Sequence, residues 1–232
     1  MTPDLGYYFG CFAIATTAHT LWGLATVCLP SGLALLAIIR ILHRPVADIL
    51  PFRYRHRLLS LPLLPRISTP TAFCYASIAL LIGALTHNAW DSFTHKTGYS
   101  VLRWPILQSA LFSLGGRTFR LYEVLQHVST VLGTIILFWA YRQWGGRRYP
   151  RGDAQTNLDD RSRYRLLTMI AAASLVIGSP TAYFTSRASL GGMNIALFVV
   201  RLAICCTTAF LVLLCAASIV LARRTSASLP DS

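Results

Sequence analysis

Acidic side chains are scarce in this sequence, eight among 232 residues, and lysine occurs once, at Lys96. Charged residues make up 12% of the chain, where a soluble domain carries about 25%. Half of the usual polar coat is missing, which excludes a water-soluble globular domain. None of the six cysteines (Cys11, Cys28, Cys74, Cys205, Cys206, Cys215) forms a C-x-x-C pair. Neither a zinc knuckle nor a redox motif is therefore indicated, and these residues read as small buried hydrophobes. The N-terminal "MTPDLGYYFG" has no basic region ahead of an apolar one, so it is not a recognisable signal peptide. The net charge of +13 comes without a lysine-rich tail or an aromatic-basic ladder, so nucleic acid is not an expected partner.

What the chain does have is apolar length: 54% of it is hydrophobic. Five runs approach or exceed the roughly 20 residues that cross a bilayer. They cover residues 19–41 (interrupted at Pro30-Ser31-Gly32), 71–95 (with Gly98 placed as a helix stop), 121–144, 164–184 (with a kink expected at Gly178-Ser179-Pro180) and 193–221. The expected fold is all-α, a polytopic membrane protein of about five transmembrane helices. A division follows into a membrane domain over 1–145, a basic loop over 146–163, a two-helix hairpin over 164–224 and a short tail over 225–232.

Arginine placement orients the spans. Arg40, Arg44, Arg53, Arg55, Arg57 and Arg66 fall in one connection, and Arg142, Arg147, Arg148, Arg151, Arg161, Arg163 and Arg165 in another. Arg223 and Arg224 follow the last span, while Lys96, Arg103, Arg117, Arg120 and Arg187 lie on the opposite side. The positive-inside rule then predicts an outer N-terminus and a cytoplasmic C-terminus. The stretch "ILHRPVADILPFRYRHRLLSLPLLPR" reads as an interfacial segment on anionic lipid.

On this topology Asp4, Asp91 and Glu123 all fall at outer ends of spans, as do His19, His87, His95 and His127. In "GALTHNAWDSFTHKTG" three of these residues recur every four positions. His87, Asp91 and His95 drift only about 80° around a helix and share a face. A pair at i and i+4 can ligate one metal ion. His95 lies about 12 Å along the axis from His87, so it reaches the same ion only if the helix ends or bends; otherwise it is an outer partner or substrate contact. Thr86 and Thr94 flank the set. Asp4 and His19 would stand about 22 Å apart on one straight helix, so sharing a site requires a fold-back, for which Gly6, Gly10 and Thr16-Thr17 offer places. Glu123 and His127, again at i and i+4, could form another wall, with Glu123 as a general base or as a dipole partner of its helix. Arg201 lies inside the last span, where it either snorkels, pairs with an acid, or holds a phosphate. The bland alternative for the whole set is a polar cap at headgroup level; intramembrane ionisable groups in such numbers argue for function.

At these residues a resemblance appears. "GALTH", "WDSFTH" and "LYEVLQHVSTVLG", with "TPDLGYYF", "AHTLWGL" and the arginine- and proline-rich loop, resemble the bacterial membrane proteins grouped as domain of unknown function 4184. The likeness covers roughly residues 1–145, and the last two spans match only in general character. That family is similar to inner-membrane proteins assigned to metal-dependent hydrolysis. The resemblance implies Asp4, His19, His87 and Asp91 as ligands of a divalent metal, while His95 and His127 match recurrent positions of undefined role. Family members usually carry an upstream helix with a His-Pro motif; this sequence opens at "MTPDLGYYFG", which points to a misassigned start or a truncation.

The expectation is a membrane-bound metal-dependent hydrolase at the outer membrane–water interface, acting on a lipid-linked ester or phosphoester. Zinc or manganese suits its imidazole and carboxylate donors. Glu123, His127 and His95 are the catalytic candidates, and Arg201 and Arg120 the phosphate contacts. The alternative is a transporter or scaffold whose His/Asp cluster is an ion pathway, although no repeat of the kind common in transporters is visible. A bis-histidine haem using His87 with His19 or His127 is a third reading, against which the Asp in register with His87 argues.

Overall fold

The computed structural model describes residues 2–60, 69–146, 159–190 and 195–227. Two short helices, α1 (Leu5–Tyr8) and α2 (Phe12–Ala18), open the chain. Next comes α3 (Leu21–Ile49), then α4 (Phe52–Ser60), α5 (Pro70–Thr94) and α6 (Tyr99–Arg103). A hairpin of β1 (Ala110–Leu114) and β2 (Arg117–Arg120) leads into α7 (Leu121–Gly146). The last helices are α8 (Asp160–Leu190) and α9 (Ile195–Ala227). Five stretches are long and apolar enough to cross a membrane: Leu21–Ile49, Pro70–Arg103, Leu121–Gln143, Asp160–Arg187 and Leu197–Arg223. The chain is an all-α multi-pass membrane protein, as its hydropathy predicts.

Packing follows from the solvent. Lipid tails are as apolar as leucine, so large side chains gain little by turning inward, and small residues let helix backbones approach. The buried apolar positions are accordingly rich in alanine (Ala15, Ala18, Ala47, Ala72, Ala84, Ala182), whereas Ile135, Ile136, Leu137, Phe138 and Trp139 are all exposed. At the paired helices α8 and α9 a Cβ on Gly178 would lie 2.6 Å from Cys206 Sγ, too close for any other residue.

Two compact units emerge: Met1–Gly6, Cys11–Gly32 and Cys74–Pro150 form one, and Tyr7–Gly10, Leu33–Phe73 and Arg151–Ser232 the other. This division differs from the linear partition at residue 145, because Leu33–Phe73 is grouped with the C-terminal helices. In that second unit Asp160 Oδ1 accepts from the Phe52 N–H at 2.7 Å and Arg163 donates to the Leu50 carbonyl at 2.6 Å. Much of the stretch read as an interfacial segment is helical where it is described, since α3 runs through Pro45 to Ile49 and α4 follows. Arg66, Arg147, Arg148, Arg151, Arg224 and Met193 lie outside what can be described of loops and side chains.

The interruption expected at Pro30 falls one turn earlier. Leu24–Cys28 is a π-helical turn, and Pro30-Ser31-Gly32 is regular helix. Pro30 has no N–H for the carbonyl four residues back, and such a gap commonly loosens the preceding turn into a π-bulge. At Pro180 the helix simply continues. α5 stops at Thr94, before Gly98; Gly98 has φ −66 and instead precedes α6 as its N-terminal residue.

A candidate metal centre

The fold-back that Asp4 and His19 require is present. The chain turns at Gly10, whose φ of +70 suits glycine. The Cys11 N–H donates to the Gly6 carbonyl at 2.8 Å. A Cβ on Gly6 would sit 2.7 Å from Ala15 N, so only glycine lets the Asp4 segment lie this close against α2. Pro3 beside Asp4 is fully buried.

His19 ends α2, and Thr20 starts α3 by accepting the Gly23 N–H at 3.0 Å on its hydroxyl. The joint is held against α5 at two points. Ala18, Leu24, Cys28 and Ala84 form a buried cluster, and Asn88 donates its side-chain amide to the Ala18 carbonyl at 3.2 Å. Asn88 places His19 opposite His87, yet nothing in the sequence singled it out. Its partner is a carbonyl 70 positions away, and only an asparagine in an apolar run could have hinted at it.

These contacts bring four side chains together. Asp4, His19, His87 and Asp91 each offer one donor atom, and the four atoms lie within 4.8 Å of one another. His87 Nε2 is 3.1 Å from Asp4 Oδ2 and 3.1 Å from Asp91 Oδ2. His19 Nε2 is 3.3 Å from Asp91 Oδ2 and 3.6 Å from Asp4 Oδ1. The side chains are 20–33% exposed, in reach of water but mostly covered. Burial works to raise the Asp4 carboxyl, but His87 and His19 beside it outweigh that and hold it below the usual carboxylate range.

A divalent ion fits this donor set. Bonds of about 2.0–2.1 Å in a tetrahedral shell put neighbouring donor atoms about 3.4 Å apart. The His–Asp separations, which use both Asp4 oxygens, are 3.1 to 3.6 Å. One donor atom per residue can be chosen with all four within 4.8 Å, so side-chain adjustment would close the shell. His87 Nε2 is buried and 3.1 Å from an oxygen of each carboxylate. A protonated imidazole would pair with both, whereas a neutral one with Nε2 unprotonated would offer its lone pair to an ion. His19 Nδ1 lies 2.7 Å from the Ala15 carbonyl, which accepts only from a protonated nitrogen. That contact fixes the tautomer and turns the Nε2 lone pair toward the cluster, the usual support for a metal-binding histidine.

The remaining candidates are placed apart from the four. His95 lies just past the end of α5, half exposed, with Nδ1 3.6 Å from Asp91 Oδ1. It faces the carboxylate oxygen that His19 and His87 do not approach, and so flanks the ligand. Thr86 donates to the carbonyls of Ile82 and Gly83, whereas Thr94 donates to that of Trp90 and also lies 3.3 Å from His95 Nδ1. Glu123 accepts from Arg117 at 3.0 Å and from the Arg120 N–H at 3.0 Å, which closes the first turn of α7. His127 is exposed one turn further on. Arg120 reaches the Gln108 carbonyl at 3.5 Å, and Arg201 donates to the Thr185 carbonyl across the α8–α9 pair. None of Glu123, His127, Arg120 or Arg201 belongs to the four-residue group.

No curated protein and no solved structure matches this chain. A family model does, over residues 1–219, so the likeness reaches beyond residue 145 and includes both C-terminal helices. With nearly its whole length matched, the chain belongs to the family described as Domain of unknown function (DUF4184).

Proposed function

We propose that the protein is a membrane-embedded, metal-dependent hydrolase whose centre is Asp4, His19, His87 and Asp91. The single observation that carries this reading is that two imidazoles and two carboxylates, from segments far apart in the sequence, offer four donor atoms within 4.8 Å of one another. Two imidazoles and two carboxylates suit zinc or manganese. The chemistry a bound divalent ion supplies is Lewis acidity, which activates water and polarises an ester or phosphoester. The protein's own part is to hold the donors. Ala15 and Asn88 orient His19, and α5 sets His87 and Asp91 one turn apart. In this proposal His95, 3.6 Å from the far oxygen of Asp91 and half exposed, exchanges protons with water beside the centre.

The four residues stand at a span end, where a lipid-linked ester or phosphoester could reach them. A bacterial inner membrane, an outer-facing N-terminus and anionic lipid against the arginine-rich face belong to the same proposal. Elemental analysis of detergent-purified protein beside the His87→Ala/Asp91→Ala double variant tests it. Near-stoichiometric zinc or manganese, lost in the variant, is the expected result. Hydrolysis of fluorogenic lipid esters or phosphodiesters should then be abolished by chelation and restored by the ion. Absence of metal from both samples would leave a polar cap at headgroup level.

One feature favours a second reading. A π-helical turn interrupts the first span beside the cluster, and interrupted helices are typical of ion pathways. Ion flux into proteoliposomes without any hydrolysis would select that reading.

A further inference from the structure

The β-hairpin between the second and third spans has two unlike faces. Gly115 and Gly116, with φ +57 and +79, form the tight turn that matches strand twist. The pairs Phe112–Phe119 and Leu114–Arg117 alternate with Ser113–Thr118, so the first four side chains share one face and the hydroxyls take the other. On the apolar face the Phe112 and Phe119 rings stack at 5.0 Å, and the Arg117 guanidinium lies 5.0 Å from the Phe119 ring centre. On the polar face Ser113 and Thr118 share a hydrogen bond of 3.1 Å. Phe112 is 50% and Leu114 70% exposed.

A lone two-stranded hairpin is marginal in water, so something should cover the phenylalanines. The position of the hairpin says what. The connection from Trp104 to Arg120 joins two candidate spans, so both its ends are fixed at one surface of the bilayer. It is also pinned down: Val101, Leu107 and Tyr122 form a buried cluster with Phe93, Leu121 and Leu125 around it, and Trp104 meets Phe93 edge-on at 5.4 Å. From Lys96 to Tyr122 the sequence has four cationic side chains and no acid. Arg117 itself is paired with Glu123.

We infer that the hairpin is an interfacial anchor. Its Phe112–Leu114–Phe119 face enters the acyl–headgroup boundary of the leaflet on the side of the metal centre, with Arg103 and Arg120 toward lipid phosphates. Apolar residues on one face and cations along its margin are the pattern of segments that lie in that boundary. Through Phe93, two residues beyond Asp91, the anchor also sets the depth at which the end of α5 stands. The inference does not depend on a metal being bound.

The test places the photocrosslinking residue p-benzoylphenylalanine at 112, 113, 114 or 118 of the full chain in phosphatidylethanolamine–phosphatidylglycerol vesicles, with mass spectrometry of the products. Lipid adducts should be several-fold more abundant from 112 and 114 than from 113 and 118. Equal yields from the two faces, or no lipid adduct at all, would overturn the inference. So would a crosslinked dimer from 112 or 114, which would make this face a contact with a second copy. Should a probe at 112 disturb the stack with Phe119, the exposed position 114 carries the comparison with 113 alone.

Discussion

His87–Asp91 and Glu123–His127 are the same motif by spacing, an imidazole and a carboxylate one helical turn apart, each near the end of a membrane span. Their surroundings separate them. His87 and Asp91 meet a second segment: the fold-back at Gly10 delivers Asp4, and the α2–α3 joint delivers His19. Glu123 meets only its own neighbourhood, where Arg117 and the Arg120 N–H occupy both oxygens, and His127 is exposed. Spacing proposes a site; what distinguishes the first pair is a second chain segment that brings further donor atoms within reach.

The sharpest way to break this comparison is to remove one donor from each place. Asp4→Ala or His19→Ala should bring metal content after desalting to background, whereas Glu123→Ala and His127→Ala should leave it unchanged, as read by elemental analysis. Metal lost from the Glu123 variant would mean that the two motifs act together.

Acidification should come next in size. Both histidines must be unprotonated to bind a metal, so protons compete with the ion. Affinity should then fall on acidification, by up to about 100-fold per pH unit over the range in which both imidazoles of the metal-free protein are protonated, since two protons compete with one ion. Asp4, held below the usual carboxylate range, stays ionised through this window, so the loss follows the imidazoles alone. Titration calorimetry at several pH values measures it; affinity rising with acidity would contradict the assignment.

Smaller is the effect of Asn88→Leu, which removes the tie to the Ala18 carbonyl but no donor. Affinity should weaken by about tenfold, as for other groups that orient metal ligands, with stoichiometry kept at high metal. The smallest effect belongs to the other motif: Glu123→Ala removes a helix-start contact and should lower stability by about 1 kcal/mol, visible as a reduced Tm.

Hydropathy made the five spans legible, because a bilayer demands length and apolarity whatever the sequence detail. It was poor at their ends. Arg44 and Pro45 look like a loop, yet α3 runs on to Ile49, since one proline does not outweigh the helix on either side of it. His87 and Asp91 are legible from helical spacing, and the sequence makes the fold-back a requirement with Gly6, Gly10 and Thr16-Thr17 all open as its place, without saying which. Two things were not read. Asn88 acts on a backbone carbonyl, which leaves no mark in a side-chain pattern. The hairpin carries its signal in "FSLGGRTF", a Gly-Gly turn between alternating residues, but it is too short to register among long apolar runs.

The small residues at the helix seams imply an inverted map of mutational tolerance. In a water-soluble protein the interior is where one large hydrophobe can often replace another, and the surface takes almost any polar residue. Here the outward row Ile135–Trp139 should accept free exchange among bulky apolar residues, because lipid conforms to any of them. At Gly178 one added methyl group has nowhere to go, and Ala18 and Ala84 are almost wholly buried. Drift in this protein's sequence should therefore concentrate on its largest side chains and spare its smallest.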